Sequence, residues 1–377
     1  MDFDLSDDQL DLRKAAATLL DSMAAPSQVR AVAGTKDHFD RDLWAAMAEQ
    51  GWLSVDMPEA DGGLGLGRVE VAVLGEELGR RLAPVPFLGT NLALGALRRG
   101  VDSALAASAT TLGDTDLAGW IERLGAGEAV GALAWSSTTD APRATERAGS
   151  WTVSGRTDPV VYAPAADVVV SCAATEQGQL LFALAPDARR RPDSEPAMDH
   201  TRAIARLVWE EEPAVCLGGP GDVEAVIDLA AAALSAEMLG AADQVLQMTV
   251  GYAKDRVQFG RPIGSFQAVK HRCADMLVDV EGMRSAAYYA AWAVGAGDPE
   301  ASTAASAAKV WCSDASRRVM ASALQVHGGI GFTWEHDLHL FLKRAQLDQV
   351  SFGDARYHRE RIARILRPRA EAGLPVF

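Results

Sequence analysis

Residues 221–256, GDVEAVIDLAAAALSAEMLGAADQVLQMTVGYAKDR, contain no proline and are dominated by alanine, leucine and other strong helix formers. Intrinsic propensity therefore dictates one very long helix. The sequence GRPIG at 260–264 breaks it sharply. Helical patterns resume from about 266 to 294 and from about 299 to 326. HGGIG then turns the chain, and two shorter helical stretches finish it. Long helices joined by short connections predict an antiparallel four-helix bundle over 221–377.

The N-terminal region is also helical. SDDQLDLRKAAATLLDSMAA opens with a capping serine and acidic residues in its first turn. FDRDLWAAMAEQGWLSV is a second amphipathic segment, PEADGGLGLG at 58–67 is a loop, and RVEVAVLGEELGRRLAP resumes a helix until Pro84 stops it. Between 113 and 220 the texture changes to short runs such as SWTVSG, DVVVSCAA, QLLFALA and AIARLVWEE, separated by Pro, Gly, Asp and Ser. That is the pattern of a small sheet domain. RRRPDSEPAMD at 189–199 reads as an exposed polar loop. The expected organisation is a helical domain over 1–112, a β domain over 113–220 and a helical bundle over 221–377. The fold class is mainly α with a central β domain.

At 377 residues with 49% hydrophobic composition, the chain can bury substantial cores and is not globally disordered. Cys172, Cys216, Cys273 and Cys312 form no CxxC pair, so neither a zinc site nor a disulfide framework is expected. No window reaches the ~18 consecutive uncharged apolar residues that a membrane span needs. The acidic start is unlike a secretory signal, and a cytoplasmic protein is expected. The net charge of −15 disfavours nucleic acid and anionic membranes as partners. An anionic ligand must then find a local basic patch, and the clearest lies around Lys254, Arg256, Arg261, Lys270 and Arg272.

Three segments give the chain a likeness. They are PEADGGLGLG, YAKDRVQFGRPIGSFQAVKHRCADM, and QVHGGIGF followed by KRAQLDQ. On these, and on the order helical domain, β domain, bundle, the chain resembles the acyl-CoA dehydrogenase family over nearly its whole length. The resemblance implies an acyl-CoA dehydrogenase-like fold, FAD as cofactor, an acyl-CoA substrate and electron-transfer flavoprotein as acceptor. It also implies that the last two segments reach across a subunit interface to the ADP half of a neighbour's FAD. The residues that carry this are Arg256, Gln258, Phe259, Gln267, Gln325, Gly328 and Gly329. Arg256 suits a pyrophosphate oxygen, the glutamine amides can donate and accept, and the glycines let backbone come close. Taken singly, Arg256 reads as a surface ion-pair partner, Gln325 as a helix-end polar residue and the glycines as a C-cap. Jointly, at this spacing, they read as a cofactor-facing edge.

The departures are equally specific. The family takes its α-proton with a carboxylate at one of two positions. Ungapped alignment puts Phe352 at one and Ala230 at the other, and neither side chain can take a proton. Glu237 lies seven residues beyond Ala230, on roughly the same helix face, and reads as a packing or interface carboxylate. Asp354, two residues past Phe352, reads as a cap of the last helix. His271 and His327 read as interface and turn-lining residues. The family's TEPxAGSD motif is missing from WSSTTDAPRA at 135–144, and its Trp-x-Thr contact falls at Pro159 to Val161. The chain thus keeps what serves a neighbour's FAD and lacks what holds its own. It resembles the partner subunit of heteromeric acyl-CoA dehydrogenases of actinobacterial steroid side-chain breakdown. The competing readings are a self-sufficient homo-oligomeric flavoenzyme of this fold, either a dehydrogenase with a displaced base or an oxygenase, and a structural partner without flavin.

Overall fold

The computed structural model describes residues 4–33, 35, 39–101, 111–136, 141–187 and 191–375. The helices are α1 Asp7–Met23, α2 Pro26–Val32, α3 Arg41–Glu49, α4 Arg68–Arg80, α5 Phe87–Val101, α6 Leu117–Gly125, α7 Pro220–Asp255, α8 Gln267–Ala296, α9 Ala301–His327, α10 Leu338–Val350 and α11 Ala355–Glu371. The strands are β1 Thr111–Leu112, β2 Thr115–Asp116, β3 Gly131–Ala134, β4 Arg143–Arg147, β5 Ser150–Arg156, β6 Val160–Val161, β7 Val168–Thr175, β8 Gly178–Leu184, β9 Ile204–Ala205, β10 Val208–Gly218, β11 Val257–Gln258 and β12 Arg261–Pro262. The chain forms two compact units. The first is made of Met1–Val29, Arg68–Ala83 and Ala231–Phe377, the second of Arg30–Gly67 and Pro84–Ala230.

The first unit is helical. Ser6 opens α1 with a capping box: its Oγ accepts from the Gln9 N–H at 3.3 Å, and Gln9 Oε1 accepts from the Ser6 N–H at 3.0 Å. Alanines 232, 290 and 308 pack together and let α7, α8 and α9 approach closely. Where α4 crosses α7 the backbones touch. A Cβ on Gly240 would lie 1.8 Å from the Glu76 carbonyl oxygen, and one on Gly79 would lie 2.0 Å from that of Glu237. Only glycine fits either position.

Beside this crossing Glu76 is fully buried. It accepts from Arg284 Nη1 at 2.6 Å, Tyr288 Oη at 2.6 Å, Arg80 Nη2 at 3.1 Å and Arg13 Nη2 at 3.3 Å. One carboxylate thereby ties α1, α4 and α8 together, and burial pushes the Tyr288 hydroxyl pKa up. An 18-residue window of α7 has mean hydropathy 1.6 and is long and apolar enough to cross a membrane, yet 83% of it is buried inside the protein. It is a core helix.

The second unit carries the sheet. Strands β7, β4, β5, β10 and β8 pair in that order, and β8 pairs back onto β7, so they close into a small barrel. β3 lies parallel to β7 outside the ring. The interior is filled by Val153, Val169, Leu180, Phe182, Leu184 and Trp209. Glu211, at φ 51°, sits at a register shift between Trp209 and Glu212, a bulge that bends β10.

Three expectations change here. AIARLVWEE is not one strand but two, and the second runs on to Gly218. The region expected to be all sheet also holds α6, with Asp116 as its cap and Leu117, Trp120, Ile121 and Leu124 buried at helical spacing. The loop expected to be exposed at 189–199 is partly tied down among its described residues. Arg191 pairs with Asp167, Glu195 pairs with Arg206, and Asp199 is buried.

Candidate functional site

α7 ends in a tight hairpin. The Arg256 N–H donates to the Tyr252 carbonyl at 2.9 Å, and the Ile263 N–H donates to the Arg256 carbonyl at 2.8 Å. β11 and β12 pair Val257 with Pro262 and Gln258 with Arg261. The two turn residues, Phe259 and Gly260, both have positive φ (53° and 79°), the signature of a type I′ turn. A phenylalanine in the left-handed region is strained. Phe259 stands edge-on to Phe266 at 6.0 Å, and the Arg261 guanidinium lies 4.2 Å over Phe266. A Cβ on Gly264 would meet the Ala253 carbonyl at 2.9 Å, so the hairpin folds tightly back onto α7.

The cofactor-facing residues expected on this hairpin project outward. Phe259 is 92% exposed, and Arg256, Gln258 and Gln267 are exposed as well. Arg256 has no ion pair among the described residues. Gln258 is partly engaged, its Nε2 donating to the Val257 carbonyl at 2.8 Å. Gln267 begins α8, whose N-cap position, Phe266, offers no side-chain acceptor. The first-turn N–H groups of α8 therefore lack a side-chain cap, and the positive end of the helix dipole lies one residue past Phe266.

The second motif closes α9. Gln325 is exposed in the last helical turn, followed by the buried His327 and the exposed Gly328 and Gly329. Gly328 adopts φ 63° and ψ −142°, a conformation that L side chains avoid. An added Cβ would meet nothing within 4 Å at either glycine. Within this chain Gly328 is thus required by its backbone, and Gly329 is left as an open surface.

The structure brings the two motifs together through residues the sequence reading did not assign to the edge. The His327 ring stacks on Tyr252, one helical turn before Arg256, with centroids 4.6 Å apart and planes 20° apart. His327 Nδ1 donates to the Ala323 carbonyl at 2.9 Å, and His336 meets the same ring edge-on at 4.8 Å. Burial lowers the His327 pKa below the ordinary histidine value; the Ala323 carbonyl opposes that shift and His336 adds to it.

The base positions look different. Ala230 is wholly buried in α7. Phe352 is half-buried at φ 54°, in the turn between α10 and α11. That turn is pinned from below. The fully buried Lys309 donates to the Gln349 carbonyl at 3.1 Å, the Gly353 carbonyl at 2.9 Å and Ser313 Oγ at 3.2 Å. His358 Nε2 donates to the Phe352 carbonyl at 2.9 Å. Burial pushes the Lys309 pKa down to about 8 against the opposing pull of Asp348, and pushes that of His358 down to about 4.

Both candidate carboxylates have partners within the chain. Asp354 caps α11, accepting from the Tyr357 N–H at 2.8 Å. Glu237 is held by the buried Arg344, Nη1 to Oε1 2.9 Å. That pairing has no local sign in the sequence, because the two residues lie 107 positions apart.

In the second unit, residues 137–140 of WSSTTDAPRA lie outside the described residues. The segment expected beside a flavin ring is occupied with its own chain. Val160 and Val161 pair with Ala205 and Ile204, and Thr157 exchanges hydrogen bonds with Leu207.

Comparison with known proteins places this geometry. The N-terminal domain of acyl-CoA dehydrogenases matches residues 6–102, and the C-terminal domain matches residues 219–367. The acyl-CoA dehydrogenase IpdE2 of Mycobacterium tuberculosis is 38% identical over 339 residues, 89% of each chain. Among solved structures, the ChsE4–ChsE5 complex from Mycobacterium tuberculosis superposes with a TM-score of 0.87 at 30% identity, covering 97% of this chain and 99% of that one. A variant of the Tcur3481–Tcur3483 steroid acyl-CoA dehydrogenase superposes with a TM-score of 0.86 at 28% identity, covering 97% and 99%.

Proposed function

This chain belongs to the acyl-CoA dehydrogenase family, and within it we propose that it is the partner subunit of a heteromer, completing the ADP side of an FAD site whose base lies on a second subunit. The family comprises FAD-dependent oxidoreductases acting on CH–CH bonds. The reaction assigned to the assembly is the α,β-dehydrogenation of an acyl-CoA thioester to the enoyl-CoA, with electron-transfer flavoprotein as the acceptor.

One contrast carries the reading. The edge made of Arg256, Gln267, Gln325, Gly328 and Gly329 is exposed. At the base positions stand Phe352 and Ala230, with Glu237 and Asp354 already committed to Arg344 and to the α11 cap. The edge fits a dinucleotide. Arg256 supplies an unpaired guanidinium for a pyrophosphate oxygen, and the α8 terminus supplies uncapped N–H groups. Gln325 orients a polar group, and the bare Gly328–Gly329 backbone admits close approach. When bound, FAD accepts the hydride from the acyl β-carbon. This chain's part is to bind and orient the distant half of the cofactor and to exclude water from it. Two of the similar structures are named as pairs, and one of them as a steroid enzyme, which favours a heteromer acting on a steroid-derived acyl-CoA.

The test is the visible absorption spectrum of the purified chain, alone and mixed with a second acyl-CoA dehydrogenase subunit. The expected result is a colourless protein that retains flavin only in the mixture. A stoichiometric flavin spectrum from the chain alone, bleached by an acyl-CoA, would overturn the partner role.

A further inference from the structure

We infer that His327 is a positioning residue that locks the 256–262 hairpin and the 325–329 glycine turn into one edge. Its importance for the cofactor rests on the function proposed above. The hairpin and the turn belong to different helices, and among the described residues no backbone hydrogen bond registers one against the other. What joins them is a cluster of rings. His327 stacks face to face on Tyr252, whose carbonyl receives the Arg256 N–H and so fixes where the hairpin leaves α7. The edge of His336 closes the other side of the cluster, and its Nδ1 accepts from the Leu338 N–H at 3.1 Å, holding that ring to the start of α10.

The chemistry of His327 argues that the ring is there for placement. Its Nδ1–H is used on the Ala323 carbonyl, which fixes the tautomer and the ring plane. Its Nε2 is buried and has no partner among the described residues. A buried nitrogen without a protein partner costs stability, and a leucine or phenylalanine in the same space would avoid that cost. The imidazole instead gives a flat face at stacking distance from Tyr252 and, from the same ring, a donor anchored to its own helix. Leucine supplies neither, and phenylalanine supplies only the flat face.

Hydrogen–deuterium exchange on the full chain tests this without any cofactor. His327→Leu should speed exchange of the amides of Arg256 and Ile263, 71 and 64 positions away in sequence, by about three- to tenfold. The middle of α9, Cys312–Met320, should stay unchanged. Tyr252→Leu should have the same effect, and the double variant should go no further than either single one. His327→Phe, which keeps the flat face, should restore most of the hairpin protection. Unchanged hairpin exchange in His327→Leu would overturn the inference, as would additive effects in the double variant or a loss of protection spread along all of α9. If His327→Leu does not fold, Tyr252→Leu and His327→Phe give the same answer. A chain that shows the coupled exchange yet takes up no flavin beside a partner keeps this inference and removes the function proposed above.

Discussion

The two ends of the helical unit that carry family motifs are built on opposite plans. At the edge formed by the hairpin and the glycine turn, rings and backbone carry the load while polar side chains are left to solvent: Arg256, Gln267 and Gln325 are exposed. At the turn around Phe352 the polar groups face inward and serve the chain itself. Lys309 satisfies two carbonyls, His358 a third, Asp354 a helix end, and Arg344 takes Glu237. On the function proposed above, the first surface leaves its charges free for a ligand, and the second spends its polar groups on the fold. The difference teaches that a turn without a carboxylate at its family base position is well packed rather than vacant.

Substitutions should expose that difference. The largest effect is expected from Glu237→Ala, which takes a carboxylate partner from the buried Arg344 guanidinium and should cost about 3–5 kcal/mol in a urea unfolding experiment. Pairing it with Arg344→Met should recover most of the loss. If Glu237→Ala were nearly neutral in stability, the carboxylate would be free after all and the contrast between the two ends would collapse.

Next comes His358. Its folded pKa of about 4 lies below the ordinary value, so the unfolded chain binds a proton that the native ring refuses. Its contribution is complete above about pH 6.5 and is lost as pH falls toward 4, by at most about 3 kcal/mol. Unfolding curves from pH 7 to 4.5 should show this slope, and His358→Gln should flatten it. The smallest effect on stability is expected from Arg256→Ala, within about 0.5 kcal/mol. The same change should weaken FAD retention by the heteromer about tenfold or more, read by equilibrium dialysis. A loss of stability without loss of flavin would reverse the assignment of that edge.

Much of this was legible in the sequence because it is local. The 36-residue α7 follows from an unbroken run of helix formers, and the turn after it from glycine and proline. Arg256, Gln325 and Gly328 could be singled out because the resemblance to the family rests on short motifs that contain them. α6 was legible too, since Leu117, Trp120, Ile121 and Leu124 repeat at helical spacing, but its short length hid it among strand signals. What could not be read were pairings between distant segments. Nothing near Glu237 announces Arg344, nothing near Tyr252 announces His327, and the barrel closure of β8 onto β7 has no sequence mark.

The helical unit is assembled from pieces far apart in the chain, and this sets a timetable for its birth. Glu76 emerges from the ribosome 208 residues before Arg284, one of the two groups that hold it most closely. At ordinary elongation rates of 5–20 residues per second, that leaves Glu76 with only Arg13 and Arg80 among its four partners for roughly 10 to 40 seconds. Through that interval α1 and α4 have only each other, and the barrel-bearing unit is finished first. The nascent chain therefore carries an open helical surface until nearly its last third is made, the period when chaperone binding would matter most.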